Sequence, residues 1–174
     1  MALREILTEP NKILRQKSLK VEEVDQDIQK LIDDMFDTMY AAPGIGLAAI
    51  QVGVPKRVIV LDIARKDEPK KPMCFVNPEV IEKSQNNSTY EEGCLSVPGQ
   101  FAEIERPDKC HIKYLDYNGK SQEIKAEGML ATCIQHEMDH LEGILFIDYL
   151  SKLKRSMIVK KLSKQKKELE RIVV

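Results

Sequence analysis

No stretch of this chain reaches the roughly 18 to 20 consecutive apolar residues that a membrane-spanning helix requires. Its opening, MALREILTEPNKIL, has acids and a proline where a secretory signal would carry an unbroken apolar run. A soluble, cytoplasmic protein is expected. Charge of one sign is also missing: 27 Lys and Arg against 28 Asp and Glu leave a net charge of −1, which excludes a global field directed at nucleic acid or an anionic membrane. The four cysteines, Cys74, Cys94, Cys110 and Cys133, are irregularly spaced and contain no Cys-x-x-Cys pair. A reducing compartment disfavours disulfides, so a special cysteine here would be a ligand or a nucleophile and the others small buried apolar residues. Internal repeats and domain-sized linkers are absent too, and histidine is scarce, with three in the chain.

What is present suffices for one compact domain spanning residues 1–174: the length and the 43% hydrophobic content allow a core to form without cross-links. Ile28, Leu31, Ile32, Met35, Phe36 and Met39 recur at helical spacing, and Pro43 with Gly44 ends the pattern, so a helix is expected over 25–41. Strand-like runs follow at 57–63 (RVIVLDI) and 74–81 (CFVNPEVI). HIKYLDY and KSQEIKA, joined by Asn118-Gly119, read as a hairpin. The charged, proline-bearing segment 64–72 reads as a surface loop. After Gly128, Met129, Leu130, Cys133, Ile134, Met138 and Leu141 mark a second helix, apolar around much of its circumference and hence central, with Gly143 as its cap. A lysine-rich helix closes the chain over 151–174, with Leu153, Met157, Leu162 and Leu169 on an intermittent apolar stripe. The fold class is α+β: short antiparallel or mixed sheets around the central helix, with a helix near each terminus.

The central helix carries QHEMDH. Residues four apart in a helix lie one turn above each other, so His136 and His140 can direct two imidazoles at one metal ion, with Glu137 placed to reach a water there. Two surface histidines on a charged helix is the plain alternative, and it fits poorly with a helix otherwise so apolar. A catalytic metal keeps three protein ligands. In the metzincin pattern the third would stand at 146, which is Phe146. A thermolysin-like ligand would have to be Glu168 or Glu170 in the lysine-rich tail. His111 falls at the start of a hairpin strand and has no accompanying motif. Cys94 lies in EEGCLSVPG, where Gly93 permits a tight turn and Pro98-Gly99 closes the segment. Taken alone, a buried structural cysteine is the better reading there, and only the other two motifs turn it toward a ligand.

GIGLAAIQ (44–51), EGCLS (92–96) and QHEMDH (135–140), in this order and spacing, resemble the three signature motifs of peptide deformylases, and the similarity runs from MALREIL through LFIDYLSKLKR. The type resembled is the bacterial one with a C-terminal helix. The resemblance implies that Cys94, His136 and His140 hold one metal ion per chain, natively iron(II), which zinc, nickel or cobalt can replace. The donor set by itself suits zinc at least as well. It implies a substrate, the N-formylmethionyl nascent peptide, and a reaction in which Glu137 takes a proton from water and returns it to the leaving amine. Gln51, through its side-chain amide, and Leu95, through its backbone N–H, would steady the charge on the formyl oxygen.

GIGLAAIQ lacks GxGxxG and a preceding strand, so it is not a dinucleotide fingerprint. Its small residues would let Gly46 pair main chain to main chain with a bound peptide. Met129, Cys133 and Ile45 are candidates for the wall of a methionine pocket, with ordinary core as the alternative. Asp139 has Arg106 as a candidate partner, with a solvated helix acid as the alternative. Residues 151–174 carry nine Lys and Arg against two Glu, an excess that would suit docking on the ribosome or simply a solvated face. A monomer without specific nucleic-acid binding or membrane association is expected. The rival readings are an HExxH zinc metalloprotease and a noncatalytic metal- or peptide-binding relative.

Overall fold

The structure, a computed structural model, describes residues 2–173. The first apolar pattern becomes helix α1 (Gln26–Ala41), begun by Asp25, whose carboxylate accepts the Ile28 N–H at 3.0 Å. Ile28, Leu31, Ile32, Met35 and Met39 are buried, and Phe36 is half-buried. The chain then enters a short strand, β1 (Gly46–Ala48), and a 3-10 turn at Ala49–Val52. Five strands pair antiparallel in one sheet: β1, β2 (Val58–Leu61), β3 (Met73–Lys83), and, after an excursion, β6 (Lys109–Leu115) and β7 (Ser121–Glu127). The excursion is a separate antiparallel pair, β4 (Asn87–Cys94) and β5 (Val97–Pro107). Every ladder is antiparallel, with one isolated parallel bridge between Leu19 and Lys56.

Strand β2 shows why the sheet is covered on both faces. All four of its residues are buried, and they alternate: Val58 and Val60 join the α1 side of the core, while Ile59 and Leu61 join the side of α2 (Gly128–Leu141). The second helix is thus central, as its sequence implies, although Met129 at its start is 46% exposed. A third cluster joins Val97 and Ile104 of β5 to Leu145, Phe146, Ile147 and Leu162.

The loop between β6 and β7 is a hairpin of another kind than Asn118-Gly119 first suggests. Gly119 has φ +78, whereas Asn118 stays at negative φ, so this is not the two-residue turn with both central residues left-handed. Asp116 widens it by accepting the N–H groups of Asn118 and Lys120 at 2.9 and 3.0 Å. The last helix, α3 (Lys152–Val173), also departs from expectation. Leu162 is buried, but Leu153, Met157 and Leu169 are 72%, 62% and 64% exposed, because the helix packs on the β4–β5 pair only around Ile158, Val159 and Leu162. No helix among the described residues is long and apolar enough to cross a membrane.

Candidate metal centre

Three donors converge where the two sheets meet. Cys94 ends β4, and a two-residue turn, Leu95-Ser96, leads directly into β5. His136 and His140 project from successive turns of α2. The ligand atoms of the three residues lie within 4.8 Å of one another, and Cys94 Sγ is 3.4 Å from His140 Nε2. Bonds of about 2.3 Å to sulfur and 2.0 Å to nitrogen in a tetrahedral site separate the donors by roughly 3.5 Å, so the set fits one small ion. No other group of three or more potential ligands is found among the described residues. Phe146 is buried and stacks on His136 with ring centroids 6.2 Å apart. Glu168 and Glu170 are exposed on α3, and His111 sits on β6 beside Glu123 at 3.4 Å, an ordinary strand residue.

The imidazoles are oriented from behind. His136 Nδ1 is 2.8 Å from Glu92 Oε1, leaving Nε2 for the site. Glu92 in turn receives Arg106 Nε and Nη2 at 2.7 and 2.9 Å, and Arg106 Nη1 reaches Asp139 at 2.8 Å. Asp139 is therefore ion-paired with the arginine that its sequence context nominated, and Tyr149 adds a hydroxyl donated to the same carboxylate at 2.7 Å. Burial opposes the charge on Arg106, but Glu92 and Asp139 outweigh it and raise its pKa. Burial likewise opposes the charged form of His136, and hydrogen bonds to Cys94 and Glu92 hold its pKa well above the usual imidazole range. His140 lies well below that range, from burial and from the neighbouring His136.

Glu137 is buried and its Oε2 has no hydrogen-bond partner. Burial pushes its pKa up to about 7. Its carboxyl group rests against β1, where a Cβ on Gly46 would stand 2.6 Å from Oε1. Gln51 is buried in the 3-10 turn after β1; its Oε1 accepts from Ala48 N at 2.9 Å, which aims Nε2 at Ser96 Oγ (3.0 Å) and Cys94 Sγ (3.5 Å). A cavity of about 480 Å3 opens over the donors, lined in part by Ile45, Gly46, Leu95, Met129, Cys133 and Glu137. Sequence reasoning passed over Glu92, although it stands two residues before Cys94, and Tyr149. An acid next to a glycine in a strand carries no periodic signal of burial.

Residues 3–156 match the family model described as polypeptide deformylase. The peptide deformylase of Pelagibacter ubique is 67% identical over 174 residues, covering 100% of both chains. That of Maricaulis maris is 62% identical over 171 residues, covering 98% of each. Among solved structures, the peptide deformylase of Ehrlichia chaffeensis in complex with actinonin superposes with a TM-score of 0.91 at 48% identity, covering 95% of this chain and 98% of that one.

Proposed function

The chain belongs to the peptide deformylase family, and on that premise we propose how its own residues remove the formyl group from the N-terminus of a nascent peptide. The observation that carries the reading is a buried, unpartnered carboxylate, Glu137, beside three donors gathered within 4.8 Å. A divalent ion held by Cys94, His136 and His140 supplies Lewis acidity, making a water more acidic and polarising the formyl carbonyl.

Glu137 accepts the proton of the attacking water through its free Oε2. A pKa of about 7 lets it both take and release that proton near neutrality. Water oxygen joins the formyl carbon, the C–N bond breaks, and the proton passes from Glu137 to the departing amine, leaving formate and a free N-terminal methionine. Gln51, redirecting an amide hydrogen from Ser96 or Cys94, and the Leu95 backbone N–H donate to the formyl oxygen as charge gathers there. Gly46 offers main-chain pairing to the peptide. Cys133, Met129 and Ile45 wall the methionine side chain, supported by their position on the same cavity.

The ion is read as iron(II), one per chain and replaceable by zinc, nickel or cobalt. The reading extends to a single catalytic domain over residues 1–174 acting as a cytoplasmic monomer on chains leaving the ribosome. The family match ends at 156, and α3 beyond it exposes Lys160, Lys161 and Lys164, an array suited to a phosphate-rich surface. Because Leu162 of the same helix is buried against β5, charge reversal of those lysines is a cleaner test than deletion of 151–174. Co-sedimentation with ribosomes that is unchanged in the triple Lys→Glu protein at low salt would remove the docking role.

The main reading is tested by formate release from formyl-Met-Ala-Ser with protein purified anaerobically, and with Glu137→Ala as control. Release by the first and not the second is expected. No release by the unaltered protein, with metal confirmed in the site, would overturn it.

A further inference from the structure

A line of hydrogen bonds runs from the protein surface to the back of His136. The Tyr149 hydroxyl donates to Asp139 Oδ2 at 2.7 Å, and the same oxygen receives Arg106 Nη1 at 2.8 Å. Arg106 directs Nε and Nη2 to Glu92, whose Oε1 stands 2.8 Å from His136 Nδ1. Exposure falls along the line. Tyr149 is 51% exposed and the Asp139 side chain 20%, whereas Arg106 and Glu92 are buried.

Tyr149 is held at two points. Its hydroxyl is on Asp139 and its ring centroid lies 4.9 Å from Arg106 Cζ, within cation–π range, so one side chain grips both members of an ion pair. It also ends a 3-10 turn, Phe146–Tyr149, in which residues three apart eclipse. Phe146, at the start of that turn, stacks on His136. One short turn thus touches both ends of the line, and a solvated surface tyrosine would have neither contact.

We propose that Tyr149 is a positioning residue of the metal centre: through Asp139, Arg106 and Glu92 it sets how His136 is aimed and how strongly it donates. The inference rests on the metal centre of the deformylase reading and not on its substrate. Asp139 is the carboxylate of the line that water can reach. Without the hydroxyl it is free to turn outward, leaving Arg106 Nη1 unpartnered in the interior, which is costly. The guanidinium then settles on Glu92 alone and draws charge from the oxygen that faces His136. An imidazole with a weaker acceptor behind it is a poorer and less firmly aimed ligand.

Cobalt(II) reports on this directly, because its visible absorption follows the geometry and strength of its ligands. The unaltered protein, Tyr149→Phe, Glu92→Gln and the double variant are each loaded with Co(II). Affinity is read by competition with a chelating dye, ligand strength by the visible spectrum, and fold by circular dichroism. Tyr149→Phe keeps the ring against Arg106 and loses only the hydroxyl. It is expected to bind Co(II) roughly threefold to tenfold more weakly, short of the ~10–100-fold that loss of a direct partner of the ligand costs, and to show a displaced visible spectrum. In the Glu92→Gln background the same substitution adds nothing to either readout, because the line is already cut. Unchanged affinity or an unchanged spectrum in Tyr149→Phe, or an equal effect in both backgrounds, overturns the proposal and leaves the deformylase reading standing. An unaltered protein that takes up no Co(II) overturns the metal centre, and the proposal with it.

Discussion

Glu92 holds His136 and Arg106 at once: its Oε1 lies 2.8 Å from His136 Nδ1 and 2.9 Å from Arg106 Nη2, while Oε2 takes Arg106 Nε at 2.7 Å. One buried carboxylate thus sets the direction of a metal ligand and is itself held by a guanidinium. Replacing it as Glu92→Gln leaves Arg106 short of a charge partner in the interior and loosens the imidazole. Metal affinity is expected to fall by roughly 10- to 100-fold, read by competition with a chelating dye, with circular dichroism showing the fold retained.

Gly46→Ala places a methyl group 2.6 Å from Glu137 Oε1, closer than van der Waals contact allows. The carboxylate has to move by a few tenths of an ångström or more, and small misplacements of a catalytic group are costly. A fall in kcat/KM of roughly 10- to 100-fold is expected. Metal content, measured by elemental analysis, should not change, because none of the three donors is touched.

Gly143 follows α2 in a left-handed conformation, φ +74, and a Cβ on it would clash with the Arg15 backbone carbonyl. Gly143→Ala meets both obstacles. A loss of about 2–3 kcal/mol is expected from urea unfolding. Since His140 lies in the last turn of the same helix, metal affinity should fall with stability.

Asp34 is a buried carboxylate bonded to Ala2 N, Arg4 and Lys30, and its pKa is lowered to about 2, first by the backbone hydrogen bond from Ala2. A depressed folded-state pKa contributes stability above the unfolded value of about 3.9 and loses it as pH falls through the folded one. The gap between the unaltered protein and Asp34→Asn is therefore expected to be about 1–2 kcal/mol and flat from pH 7 down to about 4. It should close as pH approaches 2. A gap that widens on acidification would contradict the assignment.

The legible parts of the fold were those with a buried stripe or an unbroken apolar run. Helix α1 and strands β6 and β7 repeat apolar residues at the period of their element, β2 and the first half of β3 are continuous apolar runs because both faces are covered there, and α2 declared itself by being apolar almost throughout. The β4–β5 pair escaped notice because its inward positions hold Glu92 and Arg106, 6% and 4% exposed. A buried ion pair erases the alternation by which a strand is read. On α3 the opposite happened: apolar residues at helical spacing implied a packed face, yet only the middle of the helix has anything to pack on. The three donors were found by motif, whereas Glu92, which orients His136, and Tyr149, which donates to Asp139 beside it, were not, since each acts only through a partner brought close by the fold.

Cys94 belongs to the two-stranded sheet, and both histidines to the helix buried against the five-stranded one. An ion on all three is accordingly a rivet between two separately paired sheets, closing the chain between residues 94 and 136 into a loop. Such a rivet adds its binding free energy to the docked arrangement. Chelation should therefore speed amide exchange in β4 and β5 first while α1 and β2 stay protected, and the ion that performs the chemistry would also decide how rigidly the substrate's wall is mounted.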